Sequence, residues 1–184
     1  NLDLAKSLSK IFLEIIIAPS YQKDALIELK KKKSLRVLSL EMSQNDTDTM
    51  QSVSINGGLL VQEFDSYIIP IEDLVCVTER KPNAFEIEEL YFAWKIVKHV
   101  KSNAIVITKD MQTVGIGAGQ MNRVGAAKIA LEWAREYENK EGLILASDAF
   151  FPFDDVVKSA HTYGVSAIIQ PGGSIRDQEI GRAH

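Results

Sequence analysis

The sequence predicts a layered α/β (α+β) sandwich, and three observations lead there. Short apolar runs such as "AIVIT", "GLILAS" and "SAIIQP" read as strands bounded by turn residues. Stretches with helical spacing lie between them, "FEIEELYFAWKIVKHV" being the clearest. The two types alternate along the chain, the order expected of helices layered on a sheet. With 184 residues, 46% of them hydrophobic, there is enough chain to bury a real core in one domain or two small ones.

Taken in order, Leu2 to Phe12 has helical spacing, and "EIIIAP" is a buried strand ended by Pro19. "YQKDALIELKKKK" places Ala25, Leu26 and Leu29 on one helical face, and "LRVLSL" is again a strand. The lysine run Lys30 to Lys33 closes that helix, where cations suit the dipole, and is expected as a solvated face. Residues 42–52 are polar and turn-rich and form the expected joint between two parts, 1–52 and 53–184. "GGLLVQ" and "LVCVT" follow as strands. Asn83, with Glu86 three residues on, is a capping box opening a helix. Ile87, Leu90, Phe92, Ala93, Trp94 and Val97 give that helix a broad apolar surface. "AIVIT" and "TVGIGA" pair across the turn "KDMQ". A helix through Trp133, the strand "GLILAS", a helix after Phe153 and the strand "SAIIQP" complete the pattern. The chain starts and ends within helix-like patterns, "GRAH" included, so it is expected to be a piece of something longer.

Composition narrows the function classes. A net charge of −4 argues against nucleic acid as the main partner. The single cysteine, Cys76, sits in an apolar run and is expected as a buried, inert thiol. One cysteine and three scattered histidines do not make a zinc or iron–sulfur site. Without a membrane-length apolar run or a signal peptide, the expectation is a cytoplasmic protein with no membrane partner.

Three stretches could carry chemistry. In "TVGIGAGQMNR" the spacing is G-x-G-x-G, which departs from a dinucleotide fingerprint, and no G-K-[ST] makes a P-loop. It reads equally as a tight strand-to-helix turn and as a helix start whose free N–H groups, with Arg123, receive an anion or a polar substrate edge. "SDAFFPFDD" is either a core corner or an apolar slot in which Phe150 and Pro152 hold a ring and Asp155 reads its N–H donors. "QPGGSIRD" is a polar-ligand cradle or a plain turn with an N-cap. Lys98-His99 tempts as an acid–base pair but ends a helix, where both residues commonly cap carbonyls.

The stretches "KHVKSNAIVITKDMQTVGIGAGQMNRVGAAKIA", "SDAFFPFDDVVKSAHTYGVSAIIQPGGSIRDQE", "EIIIAPS" and "GGLLVQ" together resemble one family. It is the transformylase part of the bifunctional purine-biosynthesis enzyme that joins 5-aminoimidazole-4-carboxamide ribonucleotide (AICAR) formyltransferase to inosine monophosphate cyclohydrolase. The resemblance implies two repeated cytidine deaminase-like sandwich units without zinc, in an intertwined homodimer. Residues 1–52 would end the first unit, and 53–184 would be the second, truncated at its C-terminus. The implied reaction moves a formyl group from 10-formyltetrahydrofolate to the 5-amino group of AICAR. That amine is a poor nucleophile, so proton transfer and oxyanion stabilisation must be supplied.

Carried over residue by residue, Asn103 and Arg123 match nucleotide-site positions, Asn103 in a role supporting catalysis. Phe150 matches the aromatic residue beside the substrate ring. Pro152 and Asp155 match the folate side, and Glu14 falls where the family places an acid near the ribose. A structural potassium ion near Ser102 and Asp148 is the one further ligand considered. The family's catalytic Lys-His motif and its cyclohydrolase domain have no match in this chain, so the fragment is expected to be inactive alone. The alternatives are a non-catalytic nucleotide-binding or dimerisation domain and, disfavoured by the missing ligands, a deaminase-like hydrolase.

Overall fold

Val106 and Thr108 alternate with Ile105 and Ile107 along one strand, and all four are sealed from solvent. A strand buried on both faces needs a layer of helices on each side. The computed structural model describes residues 1–41, 50–137 and 141–180. Residues 42–49 of the expected joint, and the tail Gly181–His184, lie outside the described residues. Two compact units emerge, Asn1–Ser66 and Tyr67–His184.

In the first unit, α1 (Leu2–Leu8) starts where the Asn1 side chain accepts the Leu4 N–H at 2.9 Å. It stops short of Phe12. β1 (Ile15–Ala18), α2 (Lys23–Leu29) and β2 (Arg36–Ser39) form a parallel β-α-β unit, with Ile15 opposite Arg36 and Ile17 opposite Leu38. Ala5, Ala25 and Leu29 pack with Ile16 and Val37 on one face. The other face is open: Ile15, Ile17 and Leu38 are 51, 58 and 49% exposed. The strand expected at "EIIIAP" therefore forms but is not buried, because the described helices cover one side only. In the Lys30 to Lys33 run, Lys31 pairs with Glu28 at 2.6 Å and Lys32 reaches the Ile11 carbonyl.

A hairpin follows, β3 (Met50–Ile55) and β4 (Gly58–Glu63), joined at Asn56-Gly57 with Gly57 at φ +82°. β4 is the expected "GGLLVQ" strand. β3 was not expected, because "MQSVSI" has its apolar alternation diluted by serines. The run "LVCVT" does not form a strand. After a 3₁₀ turn at Ile71–Asp73 it is irregular, and Val75 and Val77 are 82 and 69% exposed. Among the described residues no strand pairs with it, so its apolar pattern produces no ladder.

The second unit opens with α3 (Ala84–Val97) and its capping box. Asn83 accepts from the Glu86 amide at 3.0 Å, and Glu86 accepts from the Asn83 amide at 2.9 Å. β5 (Ile105–Lys109) turns through Asp110 and Met111, both at positive φ, into β6 (Gln112–Gly117). The Met111 amide in that turn donates to Glu89 at 2.9 Å. Then come α4 (Arg123–Ala134), β7 (Leu143–Ser147), α5 (Asp155–Thr162), β8 (Val165–Ile169) and the short α6 (Asp177–Ile180).

The sheet order is β6-β5-β7-β8, antiparallel except for the parallel pair β7–β8. On one face, α4 and α5 pack Ala126, Ala130, Leu131 and Val156 on Ile105, Ile107, Leu143 and Leu145. On the other, Leu90, Ala93 and Val97 of α3 meet Val106, Ile144 and Ala146. The result is a helix–sheet–helix sandwich. Among the described residues no helix is long and apolar enough to cross a membrane.

Candidate functional site

The sheet register brings the three sequence stretches together. Ile105 lies opposite both Gly117 and Ser147, and Ala146 lies opposite Ile169. The segment before β5 and the segments after β6, β7 and β8 therefore leave the sheet at the same end. These are the stretches holding Asn103, Arg123, Phe150 and Gln170. Ligands of α/β sheets commonly bind outside the carboxyl ends of parallel strands, which here are β7 and β8.

The glycines of "TVGIGAG" serve packing. A Cβ on Gly115 would collide with the carbonyl of Ala130, and one on Gly117 with the carbonyl of Ala126. What approaches this backbone is α4, lying flat on β6 through its alanines. Gly119, at φ +64°, then turns the chain, and Asn122 caps α4 by accepting the Gly125 amide at 2.7 Å. The cap sets Arg123 at the first helical position with its side chain aimed at the end of β7.

Arg123 is the hub of the site. One guanidinium nitrogen donates to the Ser147 hydroxyl at 2.9 Å and to the Asp148 carboxylate, and the other donates to the Asn103 side-chain oxygen at 3.0 Å. Arg123 and Asp148 side chains are each only 11% exposed. Asn103 in turn donates to the Gln120 carbonyl at 2.8 Å, so its amide acts here by orienting Arg123. The peptide bond between Ser102 and Asn103 is cis.

Asp148 also accepts from the Ser102 hydroxyl and from the Ala104 amide. Burial, the largest single influence, pushes its carboxyl up. The donors Ser102, Arg123 and Ala104, with the Arg123 charge, outweigh it and hold the group below the usual carboxylate range. Ser102 and Asp148, considered above for a potassium ion, therefore face each other, but both carboxylate oxygens already accept donors.

Beyond Asp148 the chain crosses to α5. Phe151 is fully buried, whereas Phe150 and Phe153 are 43 and 50% exposed and Pro152 is exposed. "SDAFFPFDD" is thus both a core corner and an exposed apolar lip. Asp155 stands exposed in the first turn of α5, its carboxylate accepting the Val156 amide at 2.8 Å.

"QPGGSIRD" closes on itself. Asp177 accepts the Gly173 amide at 2.8 Å, and Ser174 accepts the Arg176 amide at 3.2 Å. Of the two readings, ligand cradle or plain turn, these bonds form the turn, with a carboxylate of the chain on the Gly173 amide.

The remaining candidates lie elsewhere. Glu14 belongs to the first unit, where it lines a cavity of about 350 Å³ with Phe12, Lys33 and Arg36. Lys98 and His99 follow α3, whose last carbonyls receive the backbone N–H groups of Lys98, His99 and Val100. The Lys98 ammonium extends instead to the Tyr67 carbonyl at 2.8 Å.

Cys76 corrects the expectation of a buried thiol. It is exposed, because the segment holding it finds no partner strand among the described residues. A hydrogen bond with the Thr78 side chain, then one with its backbone, lowers the thiol from its ordinary value. Sequence reading assigned no role to Ser147 or Gln170. For Ser147 the available signal was a polar residue ending an otherwise apolar strand.

Relatives of the chain share one description. It is 55% identical over 175 residues to the bifunctional purine biosynthesis protein PurH of Lysinibacillus sphaericus, covering 95% of this chain and 34% of that protein. It is 53% identical over 181 residues to the protein so named in Lactobacillus delbrueckii subsp. bulgaricus, covering 97% and 35%. The Prochlorococcus marinus protein of that name is 55% identical over 179 residues, covering 96% and 34%. The chain thus spans about a third of the length of the curated relatives it matches. Residues 1–133 match the family model described as the AICARFT/IMPCHase bienzyme, and the chain belongs to that family.

Proposed function

We propose that this chain is the part of a folate-dependent AICAR formyltransferase that holds the nucleotide and the pterin during purine biosynthesis. In this reading Arg123, oriented by Asn103 and Asp148, meets the polar edge of AICAR. Phe150 lies against its ring. Pro152 and Asp155 face 10-formyltetrahydrofolate, the carboxylate accepting from the pterin's N–H donors. The chemistry asks for a held nucleophile and a stabilised tetrahedral oxyanion, and a guanidinium fixed before the ligand arrives suits the second need.

The observation that carries the reading is the gathering of Asn103, Arg123 and the Phe150–Asp155 loop at one end of the second unit's sheet. A partly buried arginine with three fixed acceptors supports a preorganised site. The idea of repeated cytidine deaminase-like halves rests on the family resemblance. The assignment to a cytoplasmic homodimer rests on the family resemblance.

Formyl transfer assayed in the complete bifunctional protein, with AICAR and folate varied separately, tests the reading. Arg123→Ala is expected to lower kcat/KM for AICAR by about tenfold or more, since a charge-assisted contact is lost. Asp155→Asn is expected to weaken folate binding and spare AICAR. An unchanged kcat/KM for Arg123→Ala would remove the assignment, and loss of AICAR binding alone in Asp155→Asn would reverse the two sides. A second reading, a non-catalytic nucleotide-binding and dimerisation module, draws on the open apolar face of β1–β2. Nucleotide binding without formyl transfer in the complete protein would favour it.

A further inference from the structure

The "QPGGSIRD" stretch is left without a ligand role by its own hydrogen bonds, yet it touches the Phe150–Asp155 loop twice. The Gln170 side-chain oxygen, at the end of β8, accepts the Phe151 amide at 2.6 Å. The Arg176 guanidinium lies over the Phe153 ring, 4.9 Å from its centre. At its start the same loop is pinned by Ser147, whose hydroxyl donates to the Ala149 carbonyl at 2.7 Å while accepting from Arg123. The Phe151 ring is sealed in the core. Its amide lies between Phe150 and Pro152, so the bond to Gln170 sets how far both stand out from the sheet.

We propose that Gln170 is a positioning residue, which by holding the Phe151 amide fixes the apolar lip of the site, Phe150 for the nucleotide ring and Pro152 for the folate side. This rests on the function proposed above. A glutamine side chain has a carbonyl acceptor that leucine lacks and that glutamate reproduces. Leucine at this position leaves a part-buried N–H unpaired, and the loop then relaxes toward water to satisfy it. AICAR contacts through Arg123 do not depend on that bond, whereas its ring contact with Phe150 does.

Gln170→Leu and Gln170→Glu, made in the complete bifunctional protein, test the idea through both KM values and the urea midpoint. Gln170→Leu is expected to raise the KM for 10-formyltetrahydrofolate about tenfold. The KM for AICAR should rise less, because Arg123 still holds the nucleotide, the urea midpoint should stay put, and Gln170→Glu should restore both values. Equal changes in both KM values with a lowered urea midpoint would overturn the proposal in favour of a purely structural bond. Unchanged KM values in Gln170→Leu would overturn it as well, as would failure of Gln170→Glu to restore. If the unsubstituted protein forms no formylated product, the function proposed above falls and this inference with it. If that protein is active and Gln170→Leu matches it, only this inference falls.

Discussion

The molecule contains two parallel β-α-β units that differ in what surrounds them. In β7–α5–β8 the strand "LILAS" is buried along its whole length, with helices on both faces of the sheet. In β1–α2–β2 the equally apolar "IIIA" leaves alternate residues in water, because α1 and α2 cover one face. The local sequences are alike in hydrophobicity. The neighbours are not. Apolar sequence thus makes the strand, and burial depends on how many layers the fold supplies.

The largest effects lie in the core. Leu145→Ala removes a side chain with no exposure and is expected to cost about 2–5 kcal/mol. Leu38→Ala on the open face should cost about 1 kcal/mol or less, since its side chain keeps half its access to water. Urea denaturation of the two variants decides it, and equal losses would mean the open face is covered in solution.

The buried ion pair sharpens the contrast, because it belongs to the enclosed unit. Asp148→Asn leaves Arg123 without its carboxylate and should cost roughly 3 kcal/mol near neutral pH. The pH dependence follows from the depressed carboxyl. Its stabilising contribution is fully present above the unfolded value of about 3.9 and is lost as pH falls through the lower folded value. The wild type should therefore lose stability below about pH 4 more steeply than Asp148→Asn. Urea midpoints measured from neutral to strongly acidic pH test this; parallel curves would count against the pair.

Smaller effects belong to the surface. Leu38→Glu is expected to change the urea midpoint by no more than an ordinary surface substitution, about 0.5 kcal/mol. A large loss would show that something packs on that face. His99→Gln should be mild as well, because the last carbonyls of α3 take backbone donors. We expect about 1 kcal/mol or less in stability. Formyl transfer by the complete protein should stay within a few-fold, whereas loss of a general acid or base costs about 10²–10⁴ in rate.

Most of the second unit was legible in the sequence. The capping box at Asn83, the hairpin at "KDMQ" and the continuous apolar strands each rest on interactions within a few residues, and local patterns report these directly. Phe150, Pro152 and Asp155 could be picked out because an exposed aromatic-proline cluster after a buried strand is unusual. "LVCVT" misled because a strand requires a partner, and no local pattern says whether one arrives. The same fact exposed Cys76.

By itself, then, the sequence determined the alternation of elements, the helix caps and the segments rich in chemistry, all set by short-range sterics and hydrogen bonding. The tertiary structure alone decided that Gly115 and Gly117 exist for α4 to lie on β6. It decided that Arg123 is held by Asn103, Ser147 and Asp148, which lie 20 to 25 residues away along the chain. It also decided that Gln170 anchors the Phe151 amide. These contacts arise from sheet register, and register couples residues whose spacing along the chain carries no periodic signal.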